Sequence, residues 1–542
     1  MCEKIAPDLA DMGTSCGSGM HLSDHDLLQL DDAYLEGLSP EQARALLAKA
    51  LADLKAARER LAQNPSNSSR PPSSRAPWET VEDGHEGDGG DGDGGSASGG
   101  AAAQQGEQPA PAVASRGRQG NRKGSGKPGR RKGAPGHSRT QVLPIDAEQM
   151  HAPGCCAACG RALEDGDEAR AHAAHYTLDL SRPDGGAGGL VLHQTKHVYL
   201  ERRCTCGHWT RAQPARCDQD DTWTVALSEW HLAGPSLVAF ICAMTQRMRL
   251  SRARVQEFLA DWLGLSLSTA TINQCIHEAA RAVEPVVEQE ILAHVRQVEL
   301  LYADETAWKE HGRLLWLWVF TCATATLFIV GRRTRELVQR VLGEHFRNWL
   351  MSDGYCVYRD IDQRLRCLAH LIRKAHGLEE SLDAHAQAFG RHVLDVIETV
   401  IAAVYDARGA PEHATGLRAQ YAPTLNALFD ACRRLADDAR HEKACTLARE
   451  LLNDWDTFWV VLDHPELPLT NNEAERALRH WVIARRIGMG TRTPQGTRAF
   501  ALLASVIETC RKRGASPWTY LADVVRQRRR NSTALPLPLP AG

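Results

Sequence analysis

Leu301 to Phe320, LYADETAWKEHGRLLWLWVF, sets an apolar run directly against an Asp–Glu pair and then resumes with aromatic and branched residues. Its alternation predicts a strand over 298–303 with Asp304 at its far end, followed by antiparallel strands over 314–322 and 325–330. A helix over 334–342 comes next, and then a short apolar strand that runs into MSDGYCVYRD and is again ended by an acid, Asp353. The run RLRCLAHLIRKAHGL supplies a fifth strand and a helix. An acid at a strand end is ordinarily a solvated turn residue. Two of them on adjacent strands can share divalent ions, and a third acid completes a site for two ions about 3.5 to 4 Å apart that clamp the attacking and leaving oxygens of an in-line displacement.

The order β-β-β-α-β-α, with acids closing the first and fourth strands, is the arrangement of the ribonuclease-H-like fold of polynucleotidyl transferases. The third acid belongs on a later helix, where LTNNEAERALRHWVIARRIGMG offers Glu473 and Glu475. Residues two apart on a helix point roughly 200° away from each other, so only one can face the metals. For Glu475 the structural alternative is a capping box with Asn472 as N-cap and a pair with Arg479. Between Asp353 and this helix, runs such as HAQAFGRHVLDVIETVIAAVYDAR repeat at helical period and predict an all-helical insertion.

With 542 residues and 43% hydrophobic content, the chain can bury several cores. Its net charge of −3 conceals opposed blocks: acids without Lys or Arg over 79–93, and Lys and Arg without acids over 116–139. Residues 64–140 are rich in Gly, Ser, Pro and charge and cannot offset their ordering entropy, which predicts a disordered linker. The basic half, Arg116 to Arg139, suits phosphate contact through counterion release; a solubilising tail is the plainer alternative. Ahead of the linker, Ser39-Pro40-Glu41-Gln42 predicts a capped helix running to about Gln63. Leu47, Leu54 and Leu61 fall seven apart on it, which describes a thin coiled-coil seam or an amphipathic helix docked on its own protein. The uncharged run from Leu314 to Val330 falls short of the roughly 20 apolar residues of a membrane span and carries threonines. The opening MCEKIAPDLADM lacks the basic and apolar regions of a secretory signal, and 16 cysteines are few for a disulfide scaffold of this length, so a reducing cytoplasm is expected.

Cys156 and Cys159 form a C-x-x-C knuckle, and Cys204 and Cys206 follow as C-x-C; each short turn presents two sulfurs, which suits tetrahedral zinc. Cys155, Cys217 and His208 are alternative ligands, and unlinked reduced cysteines are the alternative to a metal site. Further on, VQEFLADWLGLSLSTATINQCIHEAA reads as a helix, a turn at Gly264, and a helix opened by Ser266 or Ser268, which is helix-turn-helix grammar.

The motifs DETAW, LWLWVF, SDGYCVY, CLAHLIRKAH and NNEAER, in that order, resemble the transposases of bacterial insertion-sequence family sixty-six, as do the leader segments NPSNSSRPPSS and GKPGRRKGAPGH. The resemblance extends from about Ser39 to Val525. It implies a DDE transposase whose catalytic, magnesium- or manganese-binding triad maps onto Asp304, Asp353 and Glu475. In this layout an N-terminal tail (1–38) precedes a leucine-zipper-like helix (39–63), the linker (64–140) and a zinc-binding module (141–220). A helical DNA-binding segment (221–296) and a ribonuclease-H-like catalytic domain (297–374 and 468–528) follow, the latter interrupted by the helical insertion (375–467), and a C-terminal tail (529–542) closes the chain. The mechanism that the resemblance implies would use two such ions to activate water against the phosphodiester at an element end and then the released 3′-hydroxyl against target DNA. Arg373, Lys374, Arg476 and Arg479 are candidates for phosphate contacts, with a solvated basic helix face as their alternative, and His370 orients a phosphate or packs. Zinc is expected to be structural, at Cys156, Cys159, Cys204 and Cys206. The partners implied are DNA (element ends and target), further copies of the chain assembled on it, and small accessory proteins of the same element; no membrane is involved. Thr470 stands where the family often has Asp, TQRMRLSRARVQEFL departs from the usual helical pattern, and the run from Gly84 to Gly95 looks like an insertion. A nuclease or resolvase without strand transfer, and a zinc-containing DNA-binding regulator with structural acids, are the competing functions.

Overall fold

The computed structural model describes residues 32–64, 67–68, 144–181, 189–217, 222–409, 416–437 and 441–540, together with Leu22, Leu27 and Leu30. The basic arm from Arg116 to Arg139 and the run from Gly84 to Gly95 lie outside the described residues. The architecture is mixed helix and sheet, with a largely helical C-terminal part. No helix among the described residues is long and apolar enough to cross a membrane.

Helix α1 (Pro40–Leu61) starts as its sequence requires, with Pro40 in the first turn and a reciprocal capping box. The Gln42 N–H donates to Ser39 Oγ at 3.2 Å and the Ser39 N–H to Gln42 Oε1 at 2.9 Å. None of its residues is buried, and Leu47, Leu51, Leu54 and Leu61 are exposed. The helix docks through its far end, where Glu59 accepts from Ser381 Oγ at 2.6 Å and Lys443 Nζ at 3.0 Å.

Strands β1 (Ala147–His151), β2 (Ala169–Ser181), β3 (Val191–Arg203) and β4 (Trp209–Arg211) form one sheet in the order β1-β3-β2, with β4 beside β3. Three helices follow: α2 (Pro235–Cys242), α3 (Arg252–Leu263) and α4 (Thr269–Val286). The α3–α4 turn keeps the grammar of its sequence, with Gly264 left-handed at φ 59° and Ser268 capping α4. Yet α4 is a core helix. It is buried without interruption from Cys275 to Glu284, and its Glu278 receives Nε and Nη2 of Arg529 at 2.7 and 2.9 Å. Only its approach and first turns, at Ser266, Ser268, Thr269, Ala270 and Gln274, are exposed. From Cys275 onward α4 is therefore spent on the protein's own core, which continues from Val238 and Ile276 to Leu301, Trp318 and Leu503, while its N-terminal turns stay open.

The second sheet contains β5 (Leu300–Glu310), β6 (Arg313–Thr321), β7 (Thr326–Gly331), β8 (Trp349–Ser352) and β9 (Arg364–Arg366), in the order β9-β8-β5-β6-β7. The first three strands are an antiparallel meander, while β8 and β9 run parallel to β5 after a crossover through α5 (Arg335–Leu342). The β5–β6 hairpin turns at His311 and Gly312, both at positive φ (49° and 81°), as a two-residue turn with the twist of its strands demands. One expectation is corrected here: β5 does not stop before Asp304 but runs through it to Glu310. Its alternation sends Leu301, Ala303 and Glu305 to one side of the sheet and Tyr302 and Asp304 to the other.

Helix α6 (Leu368–Glu379) leads into α7 (Ala384–Gly409), α8 (Ala422–Ala436) and α9 (Glu442–Asn453), a helical group with its own core at Val393, Ile397, Leu428, Leu447 and Trp459. That core also takes in Met351 and Leu365, so the group is packed on the β8–β9 edge. Buried charges fasten it there: Arg364 Nη2 donates to Asp454 Oδ1 at 2.6 Å, and Arg366 binds both Asp454 and Glu450. The chain returns through α10 (Asn472–Gly488), α11 (Pro494–Lys512) and α12 (Pro517–Arg529).

Candidate functional site

Parallel pairing sets Leu350 opposite Leu301 and Met351 opposite Tyr302, and Asp353 follows just past the end of β8, on the strand next to the one that carries Asp304. Burial, followed by the charges of Asp353, Glu305 and Glu475, pushes the Asp304 carboxyl well above the usual carboxylate range. The Asp353 carboxylate is aimed by its own turn, where the Tyr355 N–H donates to Oδ1 at 2.9 Å. Gly354 leaves room inside that turn for Arg366, since a Cβ there would come within 2.6 Å of Arg366 Nη2, which would have to shift.

The third carboxylate arrives on α10. Ala474, Leu478 and Trp481 bury against Leu317, Val319 and Phe328 on the sheet, and Val319 is the cross-strand partner of Asp304. The helix therefore lies on the face that carries Asp304. The expected capping box at Asn472 does not form, and Asn471 is the N-cap without a side-chain cap bond. Its side chain is used elsewhere, since Asn471 Nδ2 donates to the Ala303 carbonyl at 2.9 Å. Of the two candidate acids, Glu475 lies 3.7 Å from His370 Nε2 and 3.6 Å from Arg373 Nη2, and its charge reaches Asp304. Glu473 turns away and binds Lys512 and Arg476. The charges of Asp353 and Glu475 thus both act on Asp304, while Glu473 is paired elsewhere.

The second acid of the Asp–Glu pair has its own task on the opposite side of the strand. Glu305 accepts from Arg333 Nε and Nη2 at 2.9 and 2.6 Å and from the Tyr358 hydroxyl at 2.8 Å. Burial, with the Asp353 charge, pushes its carboxyl up to about 7. Arg333 is also stacked over Trp316 and Tyr355, with its Cζ 4.2 and 3.6 Å from the ring centroids. A cleft of about 520 Å³ opens beside Asp353, lined by Arg333, Arg359, His370 and Lys374, and on the insertion side by Thr446, Arg449 and Asn453. Sequence reasoning missed Arg333, Arg359 and Arg449. Arg333 had a signal in following the meander directly, but nothing in the pattern of α9 marks Arg449 as facing an acid on another element.

Of the basic candidates, Arg373 faces Glu475, and Lys374 Nζ lies 2.6 Å from Glu450 Oε2. Arg476 and Arg479 are exposed on α10. His370 stays neutral far into the acid range, its imidazole held down to about 3 by burial and then by Arg373, Lys374 and Arg366.

Cys156, Cys159, Cys204 and Cys206 form a separate cluster, with all four sulfurs within 4.8 Å of one another. The Cys156–Cys206 and Cys159–Cys204 separations are 3.7 and 3.5 Å, against an edge of about 3.8 Å for a tetrahedron with 2.3 Å zinc–sulfur bonds. Left-handed glycines close both knuckles: Gly160 (φ 75°) donates to the Cys156 carbonyl and Gly207 (φ 88°) to that of Cys204. The Cys204 thiol is held down to about 6, first by the Cys206 N–H, while against the Arg161 N–H its neighbour Cys159 is pushed up to about 12 by Cys204, Cys156 and Cys206, as thiols that share protons at close range behave. Cys155, Cys217 and His208 are not part of the cluster.

Residues 231–499, which include all three carboxylates, match the family model described as "Transposase IS66 family". Three proteins of Sinorhizobium fredii (strain NBRC 101917 / NGR234) are similar in sequence. The uncharacterized protein y4jD is 23% identical over 415 residues, 70% of this chain and 76% of that one. The uncharacterized protein y4hP is 27% identical over 300 residues, 48% of this chain and 53% of that one. The uncharacterized protein y4jO is 38% identical over 68 residues, 12% and 21% of the two chains.

Proposed function

Residues 231–499 carry the transposase domain of the IS66 family, and from that premise we propose that the chain is a DDE transposase. In this reading it cleaves phosphodiesters at the ends of a bacterial insertion sequence and joins the freed 3′-hydroxyls to target DNA. The observation that carries it is the convergence of Asp304, Asp353 and Glu475 from β5, the end of β8 and the first turn of α10. The sheet order, with two parallel strands added beside an antiparallel meander, supports a ribonuclease-H-like catalytic fold.

The donor set fits hard divalent cations, because all three ligands are carboxylates and the crowding that lifts Asp304 is relieved by positive charge. Asp304, Asp353 and Glu475 would hold Mg²⁺ or Mn²⁺, which would supply Lewis-acid activation of the attacking oxygen and charge stabilisation for the leaving one. Asp304 would offer its carboxylate from within β5, Asp353 from the turn just past β8, and Glu475 from the first turn of α10. Arg333, clamped by Glu305 and two aromatic rings, presents a fixed charge to the cleft, and Arg359 and Arg449 receive DNA phosphates on its walls. Arg476 and Arg479 extend that contact along α10, whereas Arg373 and Lys374 act chiefly on the carboxylates of Glu475 and Glu450. The four cysteines hold a structural zinc, and the basic arm adds sequence-independent affinity for DNA.

A strand-transfer assay with the full chain, Mg²⁺ and a donor carrying the element's own ends tests the reading. Joined products are expected from the wild type and none from Asp304→Asn, Asp353→Asn or Glu475→Gln. Cleavage without joining would make the protein a nuclease or resolvase. End binding without cleavage would leave a regulator.

A further inference from the structure

Cys367, His370 and Glu475 bring a thiol, an imidazole and a carboxylate together with their donor atoms within 4.8 Å of one another. Cys367 is the N-cap of α6 and His370 lies three residues on, so both side chains stand on one face of that helix. Glu475 comes to them from the first turn of α10. The cluster is held in place: Cys367 is 1% exposed, and its Sγ accepts the Asn471 N–H at 3.2 Å. His370 turns Nε2 toward Glu475 at 3.7 Å, while its buried Nδ1 has no partner among the described residues. Asn471 Oδ1, on the residue bonded to Cys367, is buried and unpartnered as well.

Donor softness separates this cluster from the acids next to it. Magnesium takes oxygen ligands, whereas thiolate and imidazole favour zinc and its neighbours among the transition metals. We propose that Cys367, His370 and Glu475 form a second transition-metal site, distinct from the four-cysteine cluster, and that a zinc-class cation bound there withdraws Glu475 from Asp304 and Asp353. Binding forms a metal–sulfur bond, and the Cys367 thiol proton leaves to solvent; nothing is oxidised or reduced. The site itself needs only the three side chains. Its consequence, inhibition of magnesium-supported cleavage by zinc beyond the amount that fills the cysteine cluster, rests on the reading of Glu475 as the third catalytic acid.

The test is optical, on the purified full chain with one equivalent of zinc already bound, titrated with Co²⁺ and followed by thiolate-to-cobalt charge-transfer absorption in the near ultraviolet. A further band saturating at about one more equivalent is expected, lost in Cys367→Ser and weakened in His370→Ala, and unchanged in Cys155→Ser. A wild type without this band, or a band that neither substitution alters, overturns the site. If Cys367→Ser does not fold, His370→Ala decides alone. This readout requires no DNA, so it separates failure of the site from failure of the transposase reading. In a second arm, zinc is added to magnesium-supported cleavage reactions, each variant being compared with its own zinc-free rate. Loss of zinc inhibition in Cys367→Ser supports the withdrawal of Glu475, and a cobalt band in a protein whose cleavage zinc does not slow overturns it.

Discussion

Asn471 Nδ2 donates to the Ala303 carbonyl at 2.9 Å, tying the residue that opens the helix of Glu475 to the residue that precedes Asp304 on its strand. Asn471 is fully buried, so this bond sets the distance between two of the three acids with no solvent to soften it. Asn471→Ala should cost about 1–3 kcal/mol of stability, the usual penalty for a buried bond left half made. It should also slow cleavage while leaving DNA binding intact. Asn471→Asp should be worse on both counts, because it adds a carboxylate to an already crowded group. Denaturant midpoints and single-turnover cleavage rates check both variants, and unaltered cleavage in both would show that the tie does not position Glu475.

Neutralising the acids should separate activity from stability. Asp304→Asn, Asp353→Asn and Glu475→Gln should each abolish strand cleavage, yet the first should raise metal-free stability by relieving the burial and repulsion that lift the Asp304 carboxyl. Glu473→Gln should behave oppositely. It loses partly exposed pairs with Lys512 and Arg476 and should cost under about 1 kcal/mol with cleavage largely preserved. Thermal melts in chelator, set against cleavage rates in magnesium, distinguish the two patterns.

Glu305 predicts a pH dependence with a definite sign. Its carboxyl is raised in the fold from the ordinary 4.5 to about 7, first by burial, so the folded state holds a proton that the unfolded state releases earlier. The contribution is complete below about pH 4.5 and is lost as pH rises toward 7, a loss of up to about 3 kcal/mol at 1.36 kcal/mol per unit. In chelator, stability should fall across that window in the wild type and fall less in Glu305→Gln. Magnesium should shrink the difference, because neutralising Asp353 removes part of the lift. Equal slopes in the two proteins would mean that Glu305 stays ionised.

The four-cysteine cluster should hold about one zinc per chain by elemental analysis. Cys206→Ser should lose it, whereas Cys155→Ser, outside the cluster, should keep it. Since such ions contribute their binding energy to folding, metal removal should open the sheet around β3 to proteolysis before the rest of the chain. A zinc-free wild type with the same protease pattern would remove the ion from the account.

Much of the site was legible because its signals are local. The β5–β6–β7 meander followed from alternation over a few residues, the Asp353 strand from a short apolar run ending in a turn, and the cysteine knuckles from spacing and a following glycine. The boundary at Asp304 was misread because an acid in an apolar run looks like a strand end, whereas here its unusual side chain is carried on a strand that continues. Asn472 looked like an N-cap for a similar reason. Its neighbour Asn471 takes that position and spends its side chain on a strand far away in the chain.

By itself the sequence determined the elements, the order of the acids and the thiol pairs, since propensity, period and turn chemistry act within a window of a few residues. Only the tertiary structure decided that Glu475 rather than Glu473 turns toward Asp304, that Glu305 clamps Arg333, that α4 is spent on the core, and that Arg449 of the insertion lines the cleft. Each of these depends on which faces of distant segments are buried against each other. That choice is made by packing across the whole fold, and no local pattern of residues carries it.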